Sequence, residues 1–476
     1  MANEKTFKRI PGSICAPRGF EGAAVFCDIK RIGTGKGSEK GRKRDLALIV
    51  SDVPAAVAGM FTSNQVCASP VKLSAKRTAG KSARAIAVNS GNANACTGRQ
   101  GLRDAEAMAR TTALAVAALY ERRNRKESTV IDRRYKRISV KDVLVCSTGR
   151  IGVAMPMKNV ERGIRKCAPL LARSTSNARR VAEAIMTSDT RRKEIAVEFK
   201  IDNRTVRIGG ICKGAGMIQP GMDVATGLWP VGTARRAVAT RHATMLAFIT
   251  SDLSIESNLL KRALQIAVEQ SFNRITVDGD MSTNDSVIML ANGLAENSKL
   301  EIQSGSDRNS KQIRIFQMAL NHVCLELAKL IVRDGEGVSR FVTLRVQGAR
   351  NARDAEAAAR AIANSSLVKT SWCGGDPNWG RILCALGYSK AKVDESIVDV
   401  GYARPGSREI LFGFRRGRPA NVSLRKLAKI TSGKEFDVHV DLNLGRGEFT
   451  MYASDLTEDY VTFNKGDVAD PTTLGG

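Results

Sequence analysis

The sequence predicts an α/β protein, a layered sandwich of helices and mixed sheets. Short apolar runs bounded by turn residues alternate with longer stretches that are apolar at helical spacing. These do not follow the regular strand–helix–strand rhythm of a doubly wound sheet or a barrel. With 476 residues, 43% of them hydrophobic and 26% charged, the chain is long and apolar enough to bury a sizeable core.

Along the chain, Leu46-Ala47-Leu48-Ile49-Val50 and Ala85-Ile86-Ala87-Val88 read as buried strands, each followed by polar turn residues. Residues 102–119, rich in alanine and apolar at helical spacing, read as a helix. Val143-Leu144-Val145-Cys146 is a further short strand that runs into a Ser147-Thr148-Gly149 turn. Later, Leu260, Leu264 and Val268 line one helix face, and Phe316, Leu320, Val323, Leu327 and Ile331 line another. Val342, Leu344 and Val346 alternate with Thr343 and Arg345 as a half-buried strand does. Phe436, Val438, Val440 and Leu442 repeat that alternation against Asp437, His439 and Asp441. There is no internal repeat and no low-complexity segment.

Charge and rare residues narrow the function. The formal net charge is +28. The basic residues are spread along the chain, aromatics are only 5%, and no nucleic-acid-binding motif occurs, so no specific nucleic-acid partner is expected. The densest basic stretches, residues 36–44 and 122–141, read as solvated loops or helix extensions. No uninterrupted apolar run reaches the roughly 18 residues of a bilayer span, so no membrane is expected either. Residues 1–9 lack the apolar stretch of a signal peptide, which makes the cytoplasm the default. Ten cysteines, none in a CxxC pair, read as small buried hydrophobes, Cys146, Cys324 and Cys384 among them. Three histidines give no metal-ligand cluster. His242 is the one worth watching, and by itself it reads as an exposed loop residue. No cofactor is expected.

The most informative stretch is Ala243-Thr244-Met245-Leu246-Ala247-Phe248-Ile249-Thr250-Ser251-Asp252, downstream of Lys213-Gly214-Ala215-Gly216-Met217. On spacing alone, an Ala-Thr pair before an apolar run is the start of a buried strand. It also has the form of a self-cleavage site. Attack by the threonine hydroxyl on the preceding carbonyl would leave Thr244 as a new N-terminus, whose α-amino group, with an ordinary pKa of about 8, can act as base for that hydroxyl.

The rest of the chain decides between these readings. Asp45-Leu46-Ala47-Leu48-Ile49-Val50-Ser51-Asp52, Val88-Asn89-Ser90-Gly91-Asn92-Ala93-Asn94-Ala95-Cys96-Thr97-Gly98 and Cys146-Ser147-Thr148-Gly149-Arg150-Ile151-Gly152 resemble the ornithine acetyltransferase (glutamate N-acetyltransferase) family of arginine biosynthesis. So do Ala184-Ile185-Met186-Thr187-Ser188-Asp189-Thr190, Ser271-Phe272-Asn273-Arg274-Ile275-Thr276-Val277-Asp278-Gly279-Asp280, Asp334-Gly335-Glu336-Gly337 and Asp376-Pro377-Asn378-Trp379-Gly380-Arg381. The match runs in order from near Ala16 to near Asn464.

The resemblance implies sheets sandwiched by helices, with an alpha chain of residues 1–243 and a beta chain of 244–476 intertwined in one body after cleavage between Ala243 and Thr244. It implies ping-pong acetyl transfer from N2-acetyl-L-ornithine to L-glutamate through Thr244 as nucleophile, without metal or cofactor. A bifunctional version also accepts acetyl-CoA, and nothing in the residues separates the two. A heterotetramer of two alpha and two beta chains is the implied assembly. Thr148 and Gly149 match the family's oxyanion hole. Thr187, Lys213, Glu336 and Asn464 match substrate-binding positions, Lys213 suiting a carboxylate and Glu336 an ammonium. Read alone, Lys213 is a surface lysine, Glu336 a turn residue and Thr148-Gly149 an ordinary turn.

The sequence departs from the pattern in three places. Arg150 stands where the family usually has a small apolar residue. After Asn464 the tail reads Lys465-Gly466-Asp467, without the family's second hydroxyl. Residues 221–241 are inserted ahead of the cut and contain two further Ala-Thr pairs, at Thr226 and Thr240. Only Thr244 is followed by Met-Leu-Ala-Phe-Ile-Thr-Ser-Asp, which assigns the nucleophile there. The alternatives are an N-terminal-threonine amidase or aminopeptidase, with water as acceptor, and an uncleaved inactive homologue with a basic binding surface.

Overall fold

The computed structural model describes residues 7–30, 43–126, 138–224, 244–295, 301–302 and 307–465. Two sheets organise them. The larger has ten strands, and its main path runs Lys8–Arg9, Lys193–Ile201, Arg204–Lys213, Leu246–Ser251, Ser286–Ala291, Leu46–Thr62, Ser82–Asn92, Val143–Arg150. Phe20–Val25 and Met222–Val224 also pair with Leu46–Thr62. Leu246–Ser251 and Ser286–Ala291 lie parallel, as do Ser82–Asn92 and Val143–Arg150, and the other pairs are antiparallel, so the sheet is mixed as expected.

This sheet folds back on itself. Lys213 and Thr148 lie on strands five steps apart, roughly 24 Å across a flat sheet at ~4.8 Å per step. Yet Lys213 Nζ bonds Thr148 Oγ1 at 3.2 Å. The bend falls in the seventeen-residue strand Leu46–Thr62, where pairing with Ser82–Asn92 shifts register between Val50 and Ala55. Pro54, which has no N–H to give the ladder, sits in that irregularity, and bulges bend strands.

Side-chain alternation then builds the layers. Leu246, Phe248, Ile288 and Leu290 from one half of the sheet share an inner core with Ile86, Val88, Leu144 and Cys146 from the other. Ala247, Ile249, Val287 and Met289 point the opposite way, onto helices Ser257–Glu269 and Asp307–Arg333. Leu48, Val50, Ala85 and Val145 pack outward onto helices Gly98–Lys126 and Met157–Cys167. The result is helix, sheet, sheet, helix, and the central strands are apolar on both faces because both are buried.

The seven-stranded second sheet runs Ile275–Thr276, Gly447–Ser454, Phe341–Ala349, Glu435–Asp441, Asp399–Ala403, Leu411–Arg415, Arg418–Pro419. Helices Ala352–Asn364, Ser366–Gly374 and Trp379–Gly387 cover it around Trp372 and Tyr402.

The predicted helices and strands are all present, most with longer bounds, although Leu442 falls just past strand Glu435–Asp441. The 102–119 helix extends over Gly98–Lys126. Three cysteines depart from the buried reading: Cys384 is exposed, and Cys96 and Cys373 are half-buried. Cys384 lies on the outward face of its helix, which apolar sequence neighbours could not reveal. The helical segment Lys311–Arg333 is long and apolar enough by composition to cross a membrane, although charges interrupt it. Its apolar face, from Phe316 to Ile331, is buried against the large sheet.

The insertion is described only as far as Val224, with Met222–Val224 forming a short strand against Met60–Thr62. Ala243, His242, Thr226 and Thr240 lie outside the described residues, as do most of 36–44 and residues 127–137.

Candidate active site

The site forms where the strand ends of the two halves of the large sheet meet. Thr244 stands two residues ahead of Leu246–Ser251 and is 2% exposed. That strand is flanked by Ser286–Ala291, in parallel register Leu246↔Ser286, and by Arg204–Lys213, in antiparallel register Leu246↔Lys213. Register alone therefore places Met245 beside Asp285 and Thr244 near the end of the lysine strand.

Asp285 ties these ends together. One carboxylate oxygen accepts the Met245 N–H at 2.9 Å and the other accepts the Ser282 N–H at 3.3 Å. Burial raises its pKa to about 7, although those two N–H groups and Lys213 oppose the rise. Ser282 Oγ lies 2.8 Å from Thr244 Oγ1. Asn284 Nδ2 reaches the other half of the sheet, donating to Ser147 O at 2.9 Å and Ala93 O at 2.7 Å.

Lys213 is fully buried, not a surface lysine. Its ammonium donates to Thr187 Oγ1 at 2.7 Å and to Thr148 Oγ1 at 3.2 Å. Burial lowers its pKa to about 8, while the charges of Asp189, Glu336 and Asp285 work in the other direction. Thr148 is fully buried, and Gly149 takes φ +130°, a conformation L side chains rarely adopt. The Ser147-Thr148-Gly149 stretch, expected to be a turn, instead continues strand Val143–Arg150 beside Asn89–Gly91. A Cβ on Gly149 would lie 2.3 Å from the Gly91 carbonyl carbon, so this strand end depends on glycine. The neighbouring Arg150 is half-buried, and its carbonyl accepts the Ala93 N–H at 2.8 Å.

A buried ion triad fixes the turns around Lys213. Lys193 Nζ donates to Asp189 Oδ1 and Asp334 Oδ2, both at 2.5 Å. Asp189 Oδ1 also accepts the Gly214 N–H at 2.8 Å, and Asp334 accepts from Thr190 Oγ1. Burial alone would raise the Asp189 pKa, but Lys193, Lys213 and the Gly214 N–H hold it far below the carboxylate range. The triad joins the segments carrying Thr187, Lys213 and Glu336.

Glu336 lies over the Lys213-Gly214-Ala215-Gly216 turn. Its N–H donates to Ala215 O at 2.8 Å, and a Cβ on Gly216 would come within 2.4 Å of its carboxylate. Burial raises its pKa. Asn464, exposed at the end of helix Glu458–Asn464, donates to Glu336 Oε2 at 3.0 Å.

Every sequence-predicted site residue among those described thus falls in one of two linked groups. Lys213 bonds both Thr148 and Thr187, with Gly149 adjoining them, and Asn464 bonds Glu336 next to the lysine turn. Thr244 joins the first group through Ser282, Asn284 and Asp285. Those three residues, and Lys193, were not singled out from sequence. The signal for the first three was a small polar quartet, Ser282-Thr283-Asn284-Asp285, opening an apolar strand. No group of His, Cys, Asp and Glu suited to a metal occurs among the described residues.

Comparison with known proteins gives consistent matches. The family model described as the ArgJ family matches residues 31–466. The arginine biosynthesis bifunctional protein ArgJ of Symbiobacterium thermophilum is 41% identical over 455 residues, covering 96% of this chain and 98% of its own. The glutamate N-acetyltransferase of Methanocaldococcus jannaschii is 40% identical over 458 residues, with 96% and 98% covered. A crystal structure of the Bacillus halodurans bifunctional protein ArgJ aligns at 36% identity and a TM-score of 0.41, over 45% of this chain and 95% of that one.

Proposed function

The chain belongs to the ArgJ family, and on that footing we propose that it is a self-cleaving acetyltransferase of arginine biosynthesis, moving acetyl from N2-acetyl-L-ornithine to L-glutamate. The observation that carries the reading is the buried Thr244 hydroxyl at the head of a central strand, linked to the anchored Lys213–Thr148 pair across the folded sheet.

Cleavage between Ala243 and Thr244 gives chains 1–243 and 244–476. The strands after the cut, Leu246–Ser251 and Ser286–Ala291, lie side by side between strands from before it in the large sheet, so the two chains stay together. The freed α-amino group takes the Thr244 hydroxyl proton as Oγ1 attacks the acetyl carbonyl. The oxyanion is met by the Thr148 hydroxyl and the Gly149 N–H. Ornithine leaves with the shuttled proton, and the glutamate amine attacks the acetyl-threonine in its place.

Among the described residues, Lys213 gives two of its three N–H bonds to Thr187 and Thr148, which leaves the third for a substrate carboxylate. Glu336, oriented by Asn464, holds the substrate ammonium. Relatives named bifunctional favour a second acetyl donor, for which acetyl-CoA is our candidate, and two copies of each chain complete the assembly.

Intact mass measurement tests the reading. The wild type should yield two chains, the second beginning Thr-Met-Leu-Ala-Phe, and Thr244→Ala one chain near 51.3 kDa without transferase activity. A Thr244→Ala protein that still divides at this bond would sink the assignment.

A further inference from the structure

The scheme above leaves the first cut without a base. Before cleavage the Thr244 nitrogen is a peptide amide, whose lone pair is delocalised into the carbonyl, and it cannot take a proton from the hydroxyl. Lys213 spends two of its N–H bonds on Thr187 and Thr148. Asp285 is close, but its oxygens accept the Met245 and Ser282 N–H groups. Among the described residues, the side-chain atom bonded to Thr244 Oγ1 is Ser282 Oγ, at 2.8 Å.

Ser282 is fully buried and held from three directions. Its Oγ accepts the Asn284 N–H at 3.2 Å, its N–H donates to Asp285, and its carbonyl accepts Thr62 Oγ1 at 2.7 Å. A hydroxyl so fixed has both an accepting lone pair and a proton to give.

We propose that Ser282 is the proton relay of self-cleavage, an inference that rests on Thr244 being the nucleophile. As Thr244 Oγ1 bonds to the carbonyl carbon of residue 243, its proton passes to Ser282 Oγ, and Ser282 gives its own proton to the Thr244 nitrogen. The carbon–nitrogen bond breaks, leaving an ester on Oγ1 and a free amine. Water then adds hydroxide to the acyl carbon and returns a proton to Oγ1, which restores the threonine hydroxyl and releases the new C-terminal carboxylate. Ser282 ends as it began. In turnover the freed amine takes over, so the serine is a catalyst chiefly of maturation.

Cell-free synthesis of the full chain, sampled by intact mass, tests this. Ser282→Ala should slow cutting by about 100-fold or more, the usual share of positioned acid–base groups, and Ser282→Thr should recover most of the rate. Synthesis in H2O/D2O mixtures should give the wild type a curved dependence of rate on deuterium fraction, as two protons move together. A purely structural serine would not produce that curvature. Wild-type rates in Ser282→Ala, or a linear dependence in the wild type, would overturn the relay. Thr244→Ala run alongside separates the failures: if it stays whole while Ser282→Ala matures normally, only the relay falls. If Thr244→Ala is itself cut, the nucleophile assignment falls as well.

Discussion

Replacing Lys213 by methionine should weaken substrate binding while making the protein more stable at neutral pH. The lysine is fully buried and its pKa is lowered from 10.5 to about 8. Between pH 8 and 10.5 the unfolded state therefore binds more protons than the folded state, so stability rises with pH through that window. Below pH 8 the full cost of the buried charge is present. It amounts to 2.5 pKa units at 1.36 kcal/mol each, about 3 kcal/mol. Methionine removes that cost but also removes the hydrogen bonds to Thr148 and Thr187, together worth about 1–2 kcal/mol. The net expectation is a gain of about 1–2 kcal/mol at pH 7, read as a Tm increase of a few degrees, that shrinks or reverses by pH 10.5. In the proposed function the same change also removes the charge that holds the substrate carboxylate. A hydrogen bond to a charged group is worth about 1.5–3 kcal/mol, which corresponds to a KM increase of roughly 10- to 150-fold. Thermal melts of both proteins from pH 6 to 10.5, with steady-state kinetics at pH 7.5, check both halves. A variant less stable at pH 7, a stability difference that ignores pH, or an unchanged KM would refute the reasoning.

Lys193→Met should act in the opposite sense. It leaves Asp189 and Asp334 buried without their cation, a loss of about 3–5 kcal/mol that melting would reveal. Gly149→Ala forces a Cβ against the Gly91 backbone and moves the proposed oxyanion donor, so kcat should fall about 100- to 1000-fold while KM changes less. Glu336→Gln should raise KM for the amino-acid substrates about 10-fold or more, as Asn464→Ala should to a smaller extent, since each weakens the proposed hold on the ammonium. The Glu336 pKa is raised, so wild-type KM should climb on acidification earlier than an ordinary glutamate would require, and Glu336→Gln should flatten that climb.

Much of the fold was legible because burial leaves its mark on consecutive residues. The run Leu46-Ala47-Leu48-Ile49-Val50 is apolar at every position because one set of side chains faces the inner core and the other faces helices. The bend of the same strand was not legible. Ser51-Asp52-Val53-Pro54 looks like a strand end, and only the register shift shows that the chain continues and turns the sheet over. Lys213 read as a surface lysine for the same reason. Its partners Thr148 and Thr187 are 65 and 26 residues away in sequence, and nothing local announces that they close over it. Ser282 and Asp285 were passed over because a small polar quartet before a strand has the composition of any turn.

The sequence by itself determined the element types, the family, and which threonine heads the Met-Leu-Ala-Phe strand. These follow from residue identity, side-chain periodicity and the order of short motifs, all local properties. Tertiary structure alone decided that Thr244 meets Ser282, that Lys213 is buried between Thr148 and Thr187, and that Lys193 binds two aspartates into one support. Those contacts depend on strand register and on the folding back of the large sheet, and the shifted pKa values of Lys213 and Asp285 come from burying charges that the extended chain leaves in water.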